Sequence, residues 1–328
     1  MKSNNERSSG NSGIKGRVVW ITLLIFLVLP LFVSTALATE IMIYGLFALA
    51  FNLLLGHTGV LSFGHAAYFG VGVYAAGVAM RYFGTSVWVS LLFSMAAGGV
   101  LAVIVGALAI KKRGVYFAMI SMAIAQMLYF LALSPMKKWS GGEDGFKYIP
   151  KLSLKFPIFL DLQNQYPLYY FTFFVVALSF IFLWRIMNSP FGRLLQAIRE
   201  NEDRTIASGY DVVMAKRVSL LFSGIFSALA GGLLTIYLGY GTLVALFWLT
   251  SGSILMMTLL GGMHTFIGPV IGAAVFLTLQ NQLSYVTDRW ELVVGTLFVV
   301  LILLFPEGIA GTIKAKYEAR KLRPEGNA

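Results

Sequence analysis

Gly56-His57-Thr58-Gly59-Val60-Leu61-Ser62-Phe63-Gly64-His65-Ala66-Ala67-Tyr68-Phe69-Gly70 sets two histidines and four glycines inside otherwise apolar sequence. At membrane depth every polar group needs a partner or a cavity wall, and glycine lets a helix break or approach its neighbour closely. Two readings stay open for His57, Ser62, Gly64 and His65: tight helix packing with hydrogen-bonded histidines, or the lining of a polar pathway. A metal site is disfavoured, because the histidines stand eight residues apart and no cysteine or close acidic residue completes a ligand set.

The flanks of this stretch are apolar, and so is most of the chain. Of 328 residues 58% are hydrophobic and 12% charged, against roughly a quarter charged in an ordinary soluble domain. The apolar runs are continuous, not alternating with period two, which argues against a β-barrel. A span needs about 20 apolar residues. Windows of about that length predict ten crossings: Val18–Ala38, Ile41–Leu55, Val60–Met80, Val87–Ile110, Val115–Leu133, Leu168–Met187, Val218–Tyr240, Ala245–Leu260, Phe266–Leu283 and Leu292–Phe305. The expected fold is an all-α polytopic membrane protein, with about ten transmembrane or re-entrant helices and broken Gly/Pro-rich segments in both halves. The run at Val18–Ala38 is too long for a signal peptide and has further apolar runs behind it, so it reads as a retained first span.

A net charge of +11 suggests nucleic acid only if the basic residues form one face. They stand instead in short blocks: Lys2 to Arg17, Lys111 to Arg113, Arg185 to Arg217 and Lys314 to Arg323. With ten crossings, 18 of the 25 basic residues fall on one side, which makes that side, and both termini, cytoplasmic. The turn-rich stretch 134–166 then lies outside. The interior of the spans is almost free of Asp, Glu, Lys and Arg, with Glu40, Asp288, Arg289 and Glu291 near predicted ends. Carriers coupled to protons or sodium place ionisable groups at depth, so the energy is expected to come from outside the chain. Gln126 is a neutral polar exception, either a packing contact or a pathway contact.

The second half carries a partial echo of the opening stretch, Leu259-Leu260-Gly261-Gly262-Met263-His264-Thr265-Phe266-Ile267-Gly268-Pro269, so all three histidines of the chain lie in two interrupted segments. Paired breaks of this kind mark the substrate path of transporters built from repeats. Between the halves, 188–217 is polar. Ser189 and Pro190 form a helix start, Leu194, Leu195 and Ile198 recur at helical spacing, acidic residues open a second short helix, and Gly209 is placed to end it. The segment is either a docking element or a solvated loop.

With these residues in hand, the sequence resembles the branched-chain amino acid ABC transporter permeases of the LivM/LivH family, closer to the LivM type. The matching pieces are Asn52–Gly70, Arg113–Ala118, Gly141–Gly145, Ala197–Asp211, Leu259–Ala273 and Phe305–Gly308. The resemblance implies a permease domain over 18–305, with cytoplasmic tails at 1–17 and 306–328, a periplasmic loop at 134–166 and a coupling segment at 188–217, in a bacterial inner membrane. It implies as partners a second, homologous permease, two cytoplasmic ATPases and a periplasmic solute-binding protein. Arg199, Glu200, Asn201, Glu202, Asp203, Gly209 and Tyr210 then take the ATPase-coupling role, and His57, Ser62, Gly64, His65, Gln126 and His264 are the pathway candidates. In the importer pattern of an acidic residue, two alanines, three residues and glycine, Asp203 and Gly209 are in place but Arg204 and Thr205 replace the alanines. No catalytic residue is expected. The chain has no G-x-x-x-x-G-K-[ST] loop, so no cofactor is expected in this subunit, with ATP and Mg held by the partners. The competing readings are a urea or short-amide ABC permease, a stand-alone channel or facilitator, and a membrane enzyme, the last weakened by the lack of clustered ionisable groups.

Overall fold

The computed structural model describes residues 19–146, 153–154, 160–162, 164–286, 289–304 and 307–312. The expected tails, 1–17 and 306–328, lie outside the described residues except for 307–312. Helix α1, Val19–Leu31, ends in a 3-10 turn at Leu29–Leu31 that contains Pro30. Ser34 is extended, and α2, Thr35–Asn52, starts after it and runs into a π-turn over Leu53–His57. The expected span Val18–Ala38 is therefore two elements: Pro30 has no N–H to continue an α-helix, and the apolar windows averaged over the break.

Helix α3, His65–Phe83, also starts later than the expected Val60. Gly59 holds φ at +74°, a left-handed conformation that ends the preceding turn, and the chain is non-helical through to Gly64. The remaining helices are α4 (Val87–Leu108), α5 (Val115–Leu133), α6 (Lys137–Ser140), α7 (Gln165–Asn188), α8 (Pro190–Glu200), α9 (Glu202–Ala207), α10 (Val212–Leu238), α11 (Trp248–Gly261), α12 (Gly268–Ser284) and α13 (Trp290–Leu304). Each expected apolar segment coincides with a helix. Five are long and apolar enough to cross a membrane: Thr35–His57, Val87–Leu108, Val115–Leu133, Gln165–Asn188 and Val212–Leu238. Helices α11 and α13, with 14 and 15 residues, fall short of that length, so five of the expected ten transmembrane or re-entrant helices meet the length and composition of a full crossing.

The bundle is built around α2 and α10, whose most apolar stretches are 89% and 83% buried, against 33% and 28% for α4 and α5. Helix α10 packs against α4, α3 and α2. Small residues allow this. A Cβ at Gly72 would collide with the Ala228 carbonyl, and one at Gly231 with that of Phe69, so α3 and α10 touch backbone to backbone. Phe47 stacks on Phe69 with ring centroids 4.4 Å apart. Outward, α4 and α5 expose Leu92, Val103, Leu108, Met119 and Phe130, a surface suited to lipid chains or another apolar subunit.

Helices α5 and α10 define two ends. One carries Arg113, α8 and α9. The other carries α6, a 3-10 turn at Gly142–Asp144, a two-residue antiparallel ladder of Ser153–Leu154 with Leu160–Asp161, and a bridge from Phe146 to Gly241. A second 3-10 turn, Leu243–Leu246, follows that bridge.

Candidate functional site

The polar segment between α7 and α10 folds as its sequence predicts. Ser189 caps α8 by accepting from the Gly192 N–H at 3.3 Å, with Pro190 in the first turn. Leu195 and Ile198 face inward. Asn201 accepts from the Arg204 N–H at 2.9 Å to start α9, whose first turn carries Glu202 and Asp203, where negative charge suits the helix dipole. Gly209, at φ +86°, turns the chain toward Asp211, which caps α10 by accepting from the Met214 N–H at 2.9 Å. A Cβ at Gly209 would meet nothing within 4 Å. With Ile206 and Tyr210 also exposed, this turn presents a small, partly apolar face.

Arg199 points the other way. Its Nη1 donates to the Gly56 carbonyl in the first break and lies 2.9 Å from His264 Nδ1 in the second. A guanidinium has no acceptor, so His264 must accept through Nδ1 and carry its proton on Nε2. The arginine stem lies over Gly59, where a Cβ would sit 2.8 Å from Cγ, so close approach as well as positive φ requires glycine there. Asn52 adds a second link, donating from Nδ2 to the Thr265 carbonyl at 3.2 Å. The two interrupted segments therefore meet at the α8 end, joined by one arginine and one asparagine.

Helix α9 is tied down by charge. Lys216, almost fully buried at the start of α10, pairs with Glu202 at 2.8 Å, and Arg113 reaches Glu202 at 3.3 Å and Asp203 at 3.0 Å. The Asp203 hydrogen bond, followed by the Glu202 and Asp203 charges, raises the Arg113 pKa above its usual range, and it stays cationic. Two of the basic blocks thus share one face, as their charge pattern predicts.

The histidines do not share one site. His57 is 8% exposed, with Nδ1 3.5 Å from the Asn52 carbonyl, and His264 is exposed beside Arg199. His65 is sealed between α2, α3 and α10. Its Nε2 lies 2.8 Å from Ser223 Oγ, which itself donates to the Ala50 carbonyl at 2.6 Å. His65 must then donate through Nε2, and its buried Nδ1 has no hydrogen-bond partner among the described residues. Phe51 and Tyr68 pack on its ring edgewise. Ser62 accepts from the Gly64 N–H at 3.2 Å, and Gly64 lies against Ser121 of α5. Gln126 sits half-buried on α5, its Oε1 without a hydrogen-bond partner among the described residues. Asn52, Thr265, Arg113, Lys216 and Ile206 were not among the site residues expected from sequence. The available signals were a buried-type lysine one turn inside an apolar helix and one isoleucine in a charged run.

Five helices long and apolar enough to cross a membrane, with interrupted segments in both halves and a charged two-helix segment tied down at one end, fit a multi-pass membrane permease. Residues 33–304 match the family described as "Branched-chain amino acid transport system / permease component", and the chain belongs to that family: it is an ABC transporter permease of the LivM type. It is 26% identical to the high-affinity branched-chain amino acid transport system permease protein LivM of Salmonella typhimurium, over 96% of this chain and 80% of the relative. It is 27% identical to the guanosine ABC transporter permease protein NupQ of Bacillus subtilis, over 70% and 74%. Against the ribose import permease protein RbsC of Bacillus subtilis it is 31% identical, over 39% and 43%. No solved structure matches the chain.

Proposed function

We propose that the chain is the LivM-type permease of an ATP-driven importer of branched-chain or related hydrophobic amino acids, working in a bacterial inner membrane with both termini in the cytoplasm. It shares its translocation path with a second, homologous permease. Two cytoplasmic ATPases, which hold ATP and Mg, grip the α8–α9 segment, and a periplasmic binding protein delivers the solute.

The observation that carries this reading is Arg199. It belongs to the segment expected to meet the ATPases, yet its side chain ends on Gly56 and His264, in both interrupted membrane segments. Movement of α8 on ATP binding is thereby delivered to both breaks, and the two permeases rock between outward- and inward-open states. The length of the match to LivM proteins supports amino acids as cargo; the guanosine and ribose permeases among the relatives make solute identity the point to test.

The test is reconstitution of the complete transporter in liposomes, with ATP hydrolysis and uptake measured while candidate solutes are supplied on the binding protein. Leucine, isoleucine or valine is expected to stimulate both. Gly209→Trp, which sets a bulky ring on the exposed turn and strains a left-handed residue, is expected to abolish stimulation. Unchanged stimulation and uptake in that variant would sink the coupling role, and stimulation by urea or a nucleoside alone would sink the solute assignment.

A further inference from the structure

Helices α4 and α5 are joined by a tight turn over 109–114, in which the Lys112 N–H donates to the Ala109 carbonyl at 2.9 Å and Gly114 takes φ +57°. So short a connection makes two helices neighbours, yet these barely touch. Helix α4 leans on α3 and α10, and α5 leans on α3, α11 and the turn Leu243–Leu246. Away from 109–114 they part: Trp88, at the start of α4, meets Phe171 of α7 with ring centroids 5.1 Å apart, and Tyr129, late in α5, meets Phe247 at 5.2 Å. The result is a wedge-shaped opening on the apolar outside of the bundle, with its point at 109–114 and α3 behind it.

The walls and the point of the wedge differ in chemistry. Ile104 and Leu108 on α4, and Val115 and Met119 on α5, are exposed, a surface for hydrocarbon. At the point, Lys111 and Lys112 are exposed and have no ion pair among the described residues, whereas Arg113 beside them is matched by Glu202 and Asp203. Tyr116, also exposed, belongs where aromatic side chains meet lipid headgroups.

An apolar wedge closed by two unmatched cations fits a molecule with hydrocarbon chains and an anionic head, since lysines at a membrane surface attract anionic lipid. An apolar partner helix would leave both lysines unmatched. We propose that an anionic phospholipid occupies this opening, with its phosphate on Lys111 and Lys112 and an acyl chain between α4 and α5. Three consecutive cations repel one another, so a phosphate on the two lysines relieves the repulsion at Arg113. That arginine holds Glu202 and Asp203, and the bound lipid thereby steadies α9. The site goes beyond the transport reading and is independent of which solute is carried.

The experiment uses the transporter extracted with its partners in mild detergent, mixed with phosphatidylglycerol that carries a diazirine on one acyl chain, and irradiated. Label is expected in peptides covering 103–108 and 115–119, and is displaced by unlabelled phosphatidylglycerol but not by phosphatidylcholine or inorganic phosphate. Lys111→Gln combined with Lys112→Gln is expected to lower the affinity for the probe about thirtyfold, the worth of two lysines near an anionic surface, while Lys111→Arg with Lys112→Arg retains it. Lys137 and Lys138, an exposed pair at the opposite end, are the control, and their replacement by glutamine should leave the label unchanged. Phosphatidylglycerol is also expected to raise the melting temperature of wild type, as a ligand of the folded state does, and not that of the Lys111→Gln, Lys112→Gln variant. The proposal is overturned if label falls elsewhere, if that variant keeps full label or melts as wild type does with the lipid, or if the control pair lowers the label as much. Displacement by inorganic phosphate overturns it too, marking a site for a free anion.

Discussion

Arg199 holds two acceptors from separate halves of the chain with one guanidinium, and its replacement should separate ATP hydrolysis from transport. Arg199→Ala is expected to lower solute imported per ATP hydrolysed about tenfold, since hydrogen bonds to charged groups are worth roughly 1.5–3 kcal/mol each. Arg199→Lys should retain part of the ratio, because a single ammonium keeps the charge but not the planar fork. Uptake and hydrolysis measured on the same liposomes decide it, and an unchanged ratio in the alanine variant refutes the link. The residue was legible in the sequence as one of a run of charges, but the direction of its side chain was not. A charged run on a short helix reads as solvated on all sides, and only the meeting of Gly56, Gly59 and His264 in space shows that one member turns inward. The histidines were legible as polar groups in interrupted segments. What the sequence left open for His65 was its packing, which depends on Ser223, 158 residues away.

At the scale of elements, caps and stops were readable because their chemistry is local: Ser189 with Pro190 starts α8, and Gly209 turns the chain after α9. The break after Leu31 and the late start of α3 were not, since hydropathy windows blur a two- or three-residue interruption between apolar runs. The tether on α9 was also hidden, because its partners, Arg113 and Lys216, come from two other segments. Glu202→Gln leaves the Lys216 ammonium buried without its anion and is expected to cost about 1–3 kcal/mol, below the 3–5 kcal/mol typical of fully buried pairs because Glu202 is 23% exposed. Lys216→Met removes the buried charge itself, and Glu202 keeps Arg113 at 3.3 Å, so it should cost less. The double variant should recover much of the loss. Thermal unfolding of the purified complex measures all three, and equal losses for the two single variants would contradict a buried ion pair.

For the whole molecule, the fold class was legible from composition alone, whereas the side on which each end lies rests on charge bias. The chain has no cysteine, so single substitutions report orientation without background. Asp144→Cys is expected to react with a membrane-impermeant maleimide in intact spheroplasts, and Asn327→Cys only after permeabilisation; the reverse pattern inverts the topology. The join at Arg199 bears on how such a molecule moves. Helix α8 has 11 residues and is about 16 Å long at 1.5 Å per residue. Tilting it by roughly 10° about its Ser189 end carries Arg199 through about 3 Å, as far as a hydrogen bond is long. A stroke that small suffices to let go of both interrupted segments at once. Among the described residues the bond from Asn52 to the Thr265 carbonyl then still spans the breaks, so the arginine is one catch shared by both halves and the asparagine the pin that stays in place.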